Sequence, residues 1–310
     1  VVDLTVKDMI PFEEIKYLAV PVVTIAIEPK MLRDLPQLKY VLEKYEAEDP
    51  NLIVTLDEKS GEILLMGLGE LHLETVVQDI SREIECDSSS PIVIIVERIE
   101  KSSKIITEEM FGSKITLRVS PIKDHLSAEN KESQFGFELK LKQYINEIKF
   151  SNDLTNKFPQ ESLDNFLMGA KEALASGPIS SKPVYGVSLE IIDFSAEGGE
   201  KFEHTIPLTR NAVWKALKLA GITTQEPIYR IQITVPAMYL GKVSSIINKR
   251  RGDILDVRSE QDVLVISGTL PVAESFHIDH ALRSETEGRA FWQMSFERYA
   301  PVPKSLIEKF

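Results

Sequence analysis

EILLMGLGELHLETVVQDISREI, residues 62–84, carries a strand, a turn and a helix in one run. Residues 62–66 alternate as a strand, and Gly67 and Gly69 frame a turn. From Glu70 onward Leu73, Val76, Val77 and Ile80 recur on one helical face as far as residue 84. Glu70 opens that helix, where a carboxylate suits the positive end of the dipole. Upstream, residues 22–27 are rich in β-branched side chains and read as a strand. Leu35, Leu38, Val41 and Leu42 then follow at helical spacing, with Asp34 as the expected cap and Pro36 in the first turn. Residues 52–56 alternate as a strand, joined to 62–66 through the turn signal Lys59-Ser60-Gly61, and residues 92–96 close the set as a last strand. The order is β-α-β-β-α-β, the split-βαβ or ferredoxin-like pattern.

The same order returns at the other end of the chain. Residues 229–235 read as a strand, 239–248 as a helix, 253–258 and 262–270 as paired strands, 276–283 as a short helix and 290–296 as a strand. Only the element order repeats, not the sequence. Between the two units lies a different region. Residues 114–119 and 137–144 alternate like strands, Leu163, Phe166, Leu167 and Ala170 mark a helix over 160–175, residues 184–194 form a strand, and 208–220 a second helix. Ser195-Ala-Glu-Gly-Gly-Glu-Lys201 reads as a polar loop tip. Residues 1–18, with a strand pattern at 1–6 and a linker around Pro11, look like the tail of something larger, and Val1 is not a natural start. The predicted fold class is α+β: ferredoxin-like units at 19–98 and 226–310 flank a distinct domain at 99–225.

Composition fits an ordinary soluble protein of two or three domains in 310 residues. No apolar run approaches the roughly 20 residues of a membrane span. Cys86 is alone, so an intrachain disulfide is excluded, a cysteine zinc site is not expected, and a reducing cytoplasm is the expected compartment. The net charge of −12 argues against wholesale nucleic-acid binding, DNA included. From Glu226 to Phe310, however, 11 Lys and Arg balance 11 Asp and Glu, so the deficit lies before residue 226. A local basic patch still grips phosphate, because screening is short-ranged. No G-x-x-x-x-G-K-[ST] phosphate loop is present, so this stretch is not expected to bind a nucleotide.

Several motifs together resemble one family. Gly67-Leu-Gly-Glu-Leu-His-Leu-Glu74 resembles the G-x-G-E-L-H-L-E signature in the third domain of the elongation factor 2 / elongation factor G translational GTPases. Pro21-Val-Val-Thr-Ile-Ala-Ile-Glu28 sits at the matching place upstream. Gly177-Pro-Ile with Lys182-Pro-Val resembles a fourth-domain segment, and Glu226-Pro-Ile-Tyr229 the opening of the fifth. Asn248-Lys-Arg-Arg-Gly252 resembles the family's N-x-R-R-G turn, and Leu282-Arg-Ser-Glu-Thr-Glu-Gly-Arg-Ala290 its L-R-S-x-T-x-G-R-A. The order matches across nearly the whole chain. Pro11-Phe-Glu-Glu-Ile15 and Glu46-Ala-Glu-Asp-Pro50 point to the archaeal and eukaryotic elongation factor 2 branch.

The resemblance implies domains three to five after a remnant of a β-barrel second domain, with the middle domain resembling ribosomal protein S5. It also implies a GTPase domain with GTP and Mg in the full-length protein, no cofactor or metal in this stretch, and no catalytic centre here. The implied partners are the ribosome's rRNA and proteins, met by a monomer in the cytoplasm, with no DNA and no membrane. One departure stands out. The family's fourth-domain tip carries a His modified to diphthamide, whereas this tip reads Glu197, Gly198, Gly199, Glu200, Lys201 and onward to His204. His204 lies too near Pro207 to fill that place. Asp193, Glu197, Glu200 and Glu203 against Lys201 repel phosphate, at about 1 kcal/mol per unit-charge pair at 4 Å even in water. A paralogue serving recycling, dormancy, maturation or protection fits better than the main translocase. The alternative is a protein-interaction scaffold in a ribonucleoprotein, like the spliceosomal homologue of elongation factor 2. A third idea, a kinase-like S5 fold, needs more than Gly198-Gly199 for a phosphate loop.

Lys242, Lys249, Arg250, Arg251, Arg283 and Arg289 are the candidate rRNA contacts, since Lys and Arg at a helix end grip phosphate. Arg283 is equally readable as a structural residue bonding loop carbonyls. Glu70, His72 and Glu74 suggest a metal only superficially, because His72 leaves the face that Glu70 and Glu74 share. His277 and His280, at i and i+3 on the expected helix beside Asp279, lack further ligands and read as a helix face.

Overall fold

Three sheets organise the chain, and the linkers between them are themselves strands. The computed structural model describes residues 20–56, 61–122, 146–158, 160–196, 204–303 and 305–306. In the first sheet β1 (Val23–Pro29) runs antiparallel to β3 (Ile63–Gly67), which pairs with β2 (Ile53–Leu56). β4 (Cys86–Ser88) and β5 (Ile92–Val93) complete the other edge of β1. The order β2-β3-β1-β4 is that of a ferredoxin-like sheet. Alternate residues Val23, Ile25 and Ile27 turn inward onto α1 (Leu35–Glu48) and α2 (Glu70–Glu83), which bury Leu38, Val41, Leu42, Leu73, Val76 and Ile80.

Asp34 sits at the N-cap of α1 but makes no side-chain capping bond. A 3-10 turn over Leu32–Asp34 gives it helical dihedrals, φ −90° and ψ 0°, instead of the extended backbone that capping needs. The strand expected at 92–96 also breaks in two. After β5, Ile94 donates its N–H to the Val22 carbonyl, and β6 (Val96–Arg98) then pairs with the first strand of the third sheet.

The middle sheet has the order β7-β8-β10-β9, with β7 (Ile106–Met110), β8 (Ser113–Pro121), β9 (Glu147–Phe150) and β10 (Val187–Ala196). β9 runs parallel to β10; the other pairs are antiparallel. The short α3 (Asn152–Lys157) leads into α4 (Gln160–Ala175), which packs with α5 (Thr205–Leu219) over a core that includes Phe166, Phe194, Leu117 and Val213. The strand expected at 137–144 lies outside the described residues, as do tip residues Glu197, Gly198, Gly199, Glu200 and Lys201.

The third sheet repeats the topology of the first: β12 (Asp253–Glu260), β13 (Val263–Pro271), β11 (Thr223–Pro236), β14 (Phe291–Pro301). Ile231, Ile233 and Val235 of β11 face α6 (Leu240–Lys249) and α8 (Ile278–Glu285), while Arg230 and Gln232 face outward. The helix expected at 276–283 starts later, because His277 holds φ +56° between α7 (Val272–Ser275) and α8. His277 and His280 are therefore not two residues of one helical face. Thr286, fully buried, donates to the Leu282 carbonyl and accepts from Ala290 N–H, closing the turn after α8. Among the described residues no helix is long and apolar enough to cross a membrane.

Candidate ribonucleoprotein interface and the seam behind it

The turn between β3 and α2 is built by its own histidine. Leu68 N–H donates to His72 Nδ1 at 3.1 Å, so the ring proton sits on Nε2 and meets Asp49 Oδ2 at 2.7 Å. Burial alone would push the Asp49 carboxyl up, but the bonds from Asn51 N–H and from His72 outweigh it and hold it below its usual range. His72 is thus a positioning residue for the turn. Glu74 is exposed one turn further on. No group of three or more potential ligands stands ready for a metal among the described residues.

The same turn reaches across to the third sheet. Tyr229 Oη donates to the Leu68 carbonyl. Burial pushes the Tyr229 phenol well up, and the charge of Glu70 adds to this. Gly69 lies so close that a Cβ there would stand 2.6 Å from Tyr229 Oη, so this position needs glycine for space. Glu70 Oε2 accepts from His277 N–H at 2.9 Å, and Oε1 lies 3.3 Å from His277 Nδ1. Tyr229 and Val272 count among the buried residues of the first core. Beside the seam lies a cavity of about 360 Å³ lined by Leu68, Glu70, Tyr229, Ile278, Trp292 and Met294.

The six candidate cations fall into two groups. Arg251 forks onto Glu226 at 2.7 and 3.0 Å and bonds Glu274 at 2.8 Å. The hydrogen bond to Glu226, only 3% exposed, is the main reason the guanidinium holds its proton more tightly than usual. Arg250 donates to the carbonyls of Glu274 and Phe276 at 2.6 and 2.8 Å. Carbonyl bonding, left open for Arg283 in the sequence, thus belongs to Arg250. Lys242, Lys249, Arg283 and Arg289 are exposed. Lys242 pairs loosely with Glu285 at 3.4 Å, and Arg283 lies over Trp292 at 5.7 Å. The exposed cations sit on α6, on α8 and in the turn after it; Arg250 and Arg251 hold the loop beneath.

Comparison with known proteins assigns this arrangement. The family model for "Elongation Factor G, domain III" matches residues 18–90, and that for "Elongation factor G C-terminus" matches residues 223–310. Elongation factor 2 of Methanosphaerula palustris is 33% identical over 97% of this chain, and that of Archaeoglobus fulgidus 32% over 99%. The chain belongs to the elongation factor 2 / elongation factor G family. It spans 45% and 46% of the length of those two relatives. A crystal structure of a Thermus thermophilus protein superposes with a TM-score of 0.62 at 27% identity, covering 93% of this chain and 42% of that one.

In this elongation factor 2-type chain, the G-x-G-E-L-H-L-E turn is therefore the joint between domain III and the C-terminal domain. A second joint had no signal in the sequence. Glu97, fully buried in β6, accepts from the N–H groups of Ile179 and Ser180 and from the Ser180 hydroxyl, more than 80 residues away. Its backbone bonds Pro183 and Tyr185 while its strand pairs with β11. One linker strand thus ties all three modules.

Proposed function

We propose that this chain is the ribosome-binding arm of an elongation factor 2-type GTPase. GTP hydrolysis on a domain outside this stretch would shift the ribosome between conformations, with no catalysis in the arm itself. The supporting observation is the double seam: Tyr229 with Leu68, and His277 with Glu70, fasten the C-terminal domain to the motif turn of domain III. A displacement of domain III is then transmitted to the cationic face of Lys242, Lys249, Arg283 and Arg289. The acidic composition of 197–203 supports a step other than main translocation, such as recycling, dormancy, maturation or protection, in the cytoplasm.

Co-sedimentation with ribosomes tests the reading. Lys249→Glu with Arg289→Glu changes two exposed cations and spares Arg250 and Arg251, whose bonds hold the loop. Pelleting is expected to fall at least about ten-fold and to weaken steeply with salt. Unchanged pelleting would remove the C-terminal domain as the docking site.

A further inference from the structure

The hairpin between β7 and β8 turns on two residues, Phe111 and Gly112, with φ +50° and +75°. Such turns favour Asn-Gly or Asp-Gly, because both central residues take left-handed backbone. An aromatic residue there is strained, and Phe111 is also 78% exposed. A residue disfavoured twice over, by backbone and by solvent, marks a place where strain is retained for contact with something else. A second ring lies against it. His204, exposed at the start of α5 and making no capping bond, has its centroid 4.5 Å from that of Phe111, with the planes tilted by 41°. The two rings come from separate elements and form one exposed shelf at the end of the middle sheet, where Ser113 pairs with Ala196.

Charge narrows what the shelf receives. Lys114 is matched by Glu109, Lys215 by Glu108 and Lys157 by Asp193. The seven residues that join Ala196 to His204 contribute Glu197, Glu200 and Glu203 against Lys201. A nucleobase stacked here would bring phosphate into an acid-rich setting whose described lysines are already paired. A guanidinium gains instead, from the ring faces and from the carboxylates together. We propose that the Phe111–His204 shelf docks an arginine-bearing basic segment of a partner protein. This does not depend on the cationic face of the C-terminal domain.

The test is fluorescence anisotropy on the whole chain at physiological ionic strength, with two labelled probes: an (Arg-Gly)6 peptide and a twelve-residue oligouridine. Phe111→Ala leaves every charge in place, so it separates ring-dependent binding from general attraction to an acidic protein. The peptide is expected to bind about three- to five-fold more weakly to Phe111→Ala, and Phe111→Trp is expected to restore it. Glu197→Gln, Glu200→Gln and Glu203→Gln together should also weaken the peptide. Peptide affinity indifferent to Phe111→Ala would overturn the proposal. So would oligouridine binding that depends on Phe111 more strongly than peptide binding does, which would make the shelf a nucleobase platform. Unchanged thermal melting of Phe111→Ala, expected for so exposed a side chain, shows that the comparison is made on folded protein.

Discussion

The carboxylate of Glu97 fills the space that a side chain on Gly177 would need. A Cβ at Gly177 overlaps Glu97, whose oxygens are bonded to Ile179 and Ser180 N–H. Glu97→Ala leaves those N–H groups without their acceptor, at a cost of about 2–4 kcal/mol. Gly177→Ala should cost a similar amount by driving the carboxylate out of its cradle. Glu97→Gln keeps the shape and one acceptor and should cost about half as much. Urea unfolding reads all three as a shift in midpoint at constant slope. A Gly177→Ala protein as stable as the parent would refute the packing argument.

Tyr229 and Gly69 make a second pair that can be tested by non-additivity. Tyr229→Phe removes the bond to the Leu68 carbonyl and should cost about 1 kcal/mol. Gly69→Ala sets a methyl against Tyr229 Oη and should cost about 1–3 kcal/mol through forced repacking. With the hydroxyl gone, the methyl has room, so the double variant should lose less than the sum of the two. Simple additivity would mean that the seam does not close on the phenol.

Both pairs bear on what the sequence discloses. The two ferredoxin-like sheets were legible because period-2 and period-3.6 patterns of Val, Ile and Leu are local, as in residues 62–84. The seam was not, since Tyr229 and Leu68 lie 161 residues apart and nothing in either motif names the other. Arg250 and Arg251 read as free cations for the same reason: a basic turn looks alike whether it faces phosphate or buried carboxylates. The break at 92–96 was hidden because Ile92–Val96 is equally apolar throughout, and the choice of sheet is made by partners far along the chain.

The Arg251 triad gives a prediction of its own. Glu226 is only 3% exposed, so Arg251→Met strands a buried charge and should cost about 3–5 kcal/mol. Arg251→Lys cannot fork onto both Glu226 oxygens and still reach Glu274, so it should recover only part of that loss. Arg251→Met with Glu226→Gln removes both charges and should be more stable than Arg251→Met alone. Denaturant midpoints of the four proteins decide it. An Arg251→Lys protein with parental stability would show that the fork contributes nothing.

Acid should loosen the motif turn through Asp49. Its carboxyl is held below the usual range because the bonds from Asn51 and His72 outweigh the effect of burial. A group whose folded value is depressed adds stability above its unfolded value, about 3.9 for aspartate, and that stability is lost as pH falls through the folded value. The parent should therefore lose stability relative to Asp49→Asn as pH drops from about 5 to about 3. Asp49 is part-exposed, so solvent screening keeps the effect to about 1 kcal/mol or less. His72 stands between Asp49 and the Leu68 N–H, and Leu68 in turn holds Tyr229. Amide exchange at Leu68 should thus quicken in acid in the parent, while in Asp49→Asn it should be fast already at neutral pH. Parallel stability curves for the two proteins across that window would remove Asp49 as the anchor of the turn.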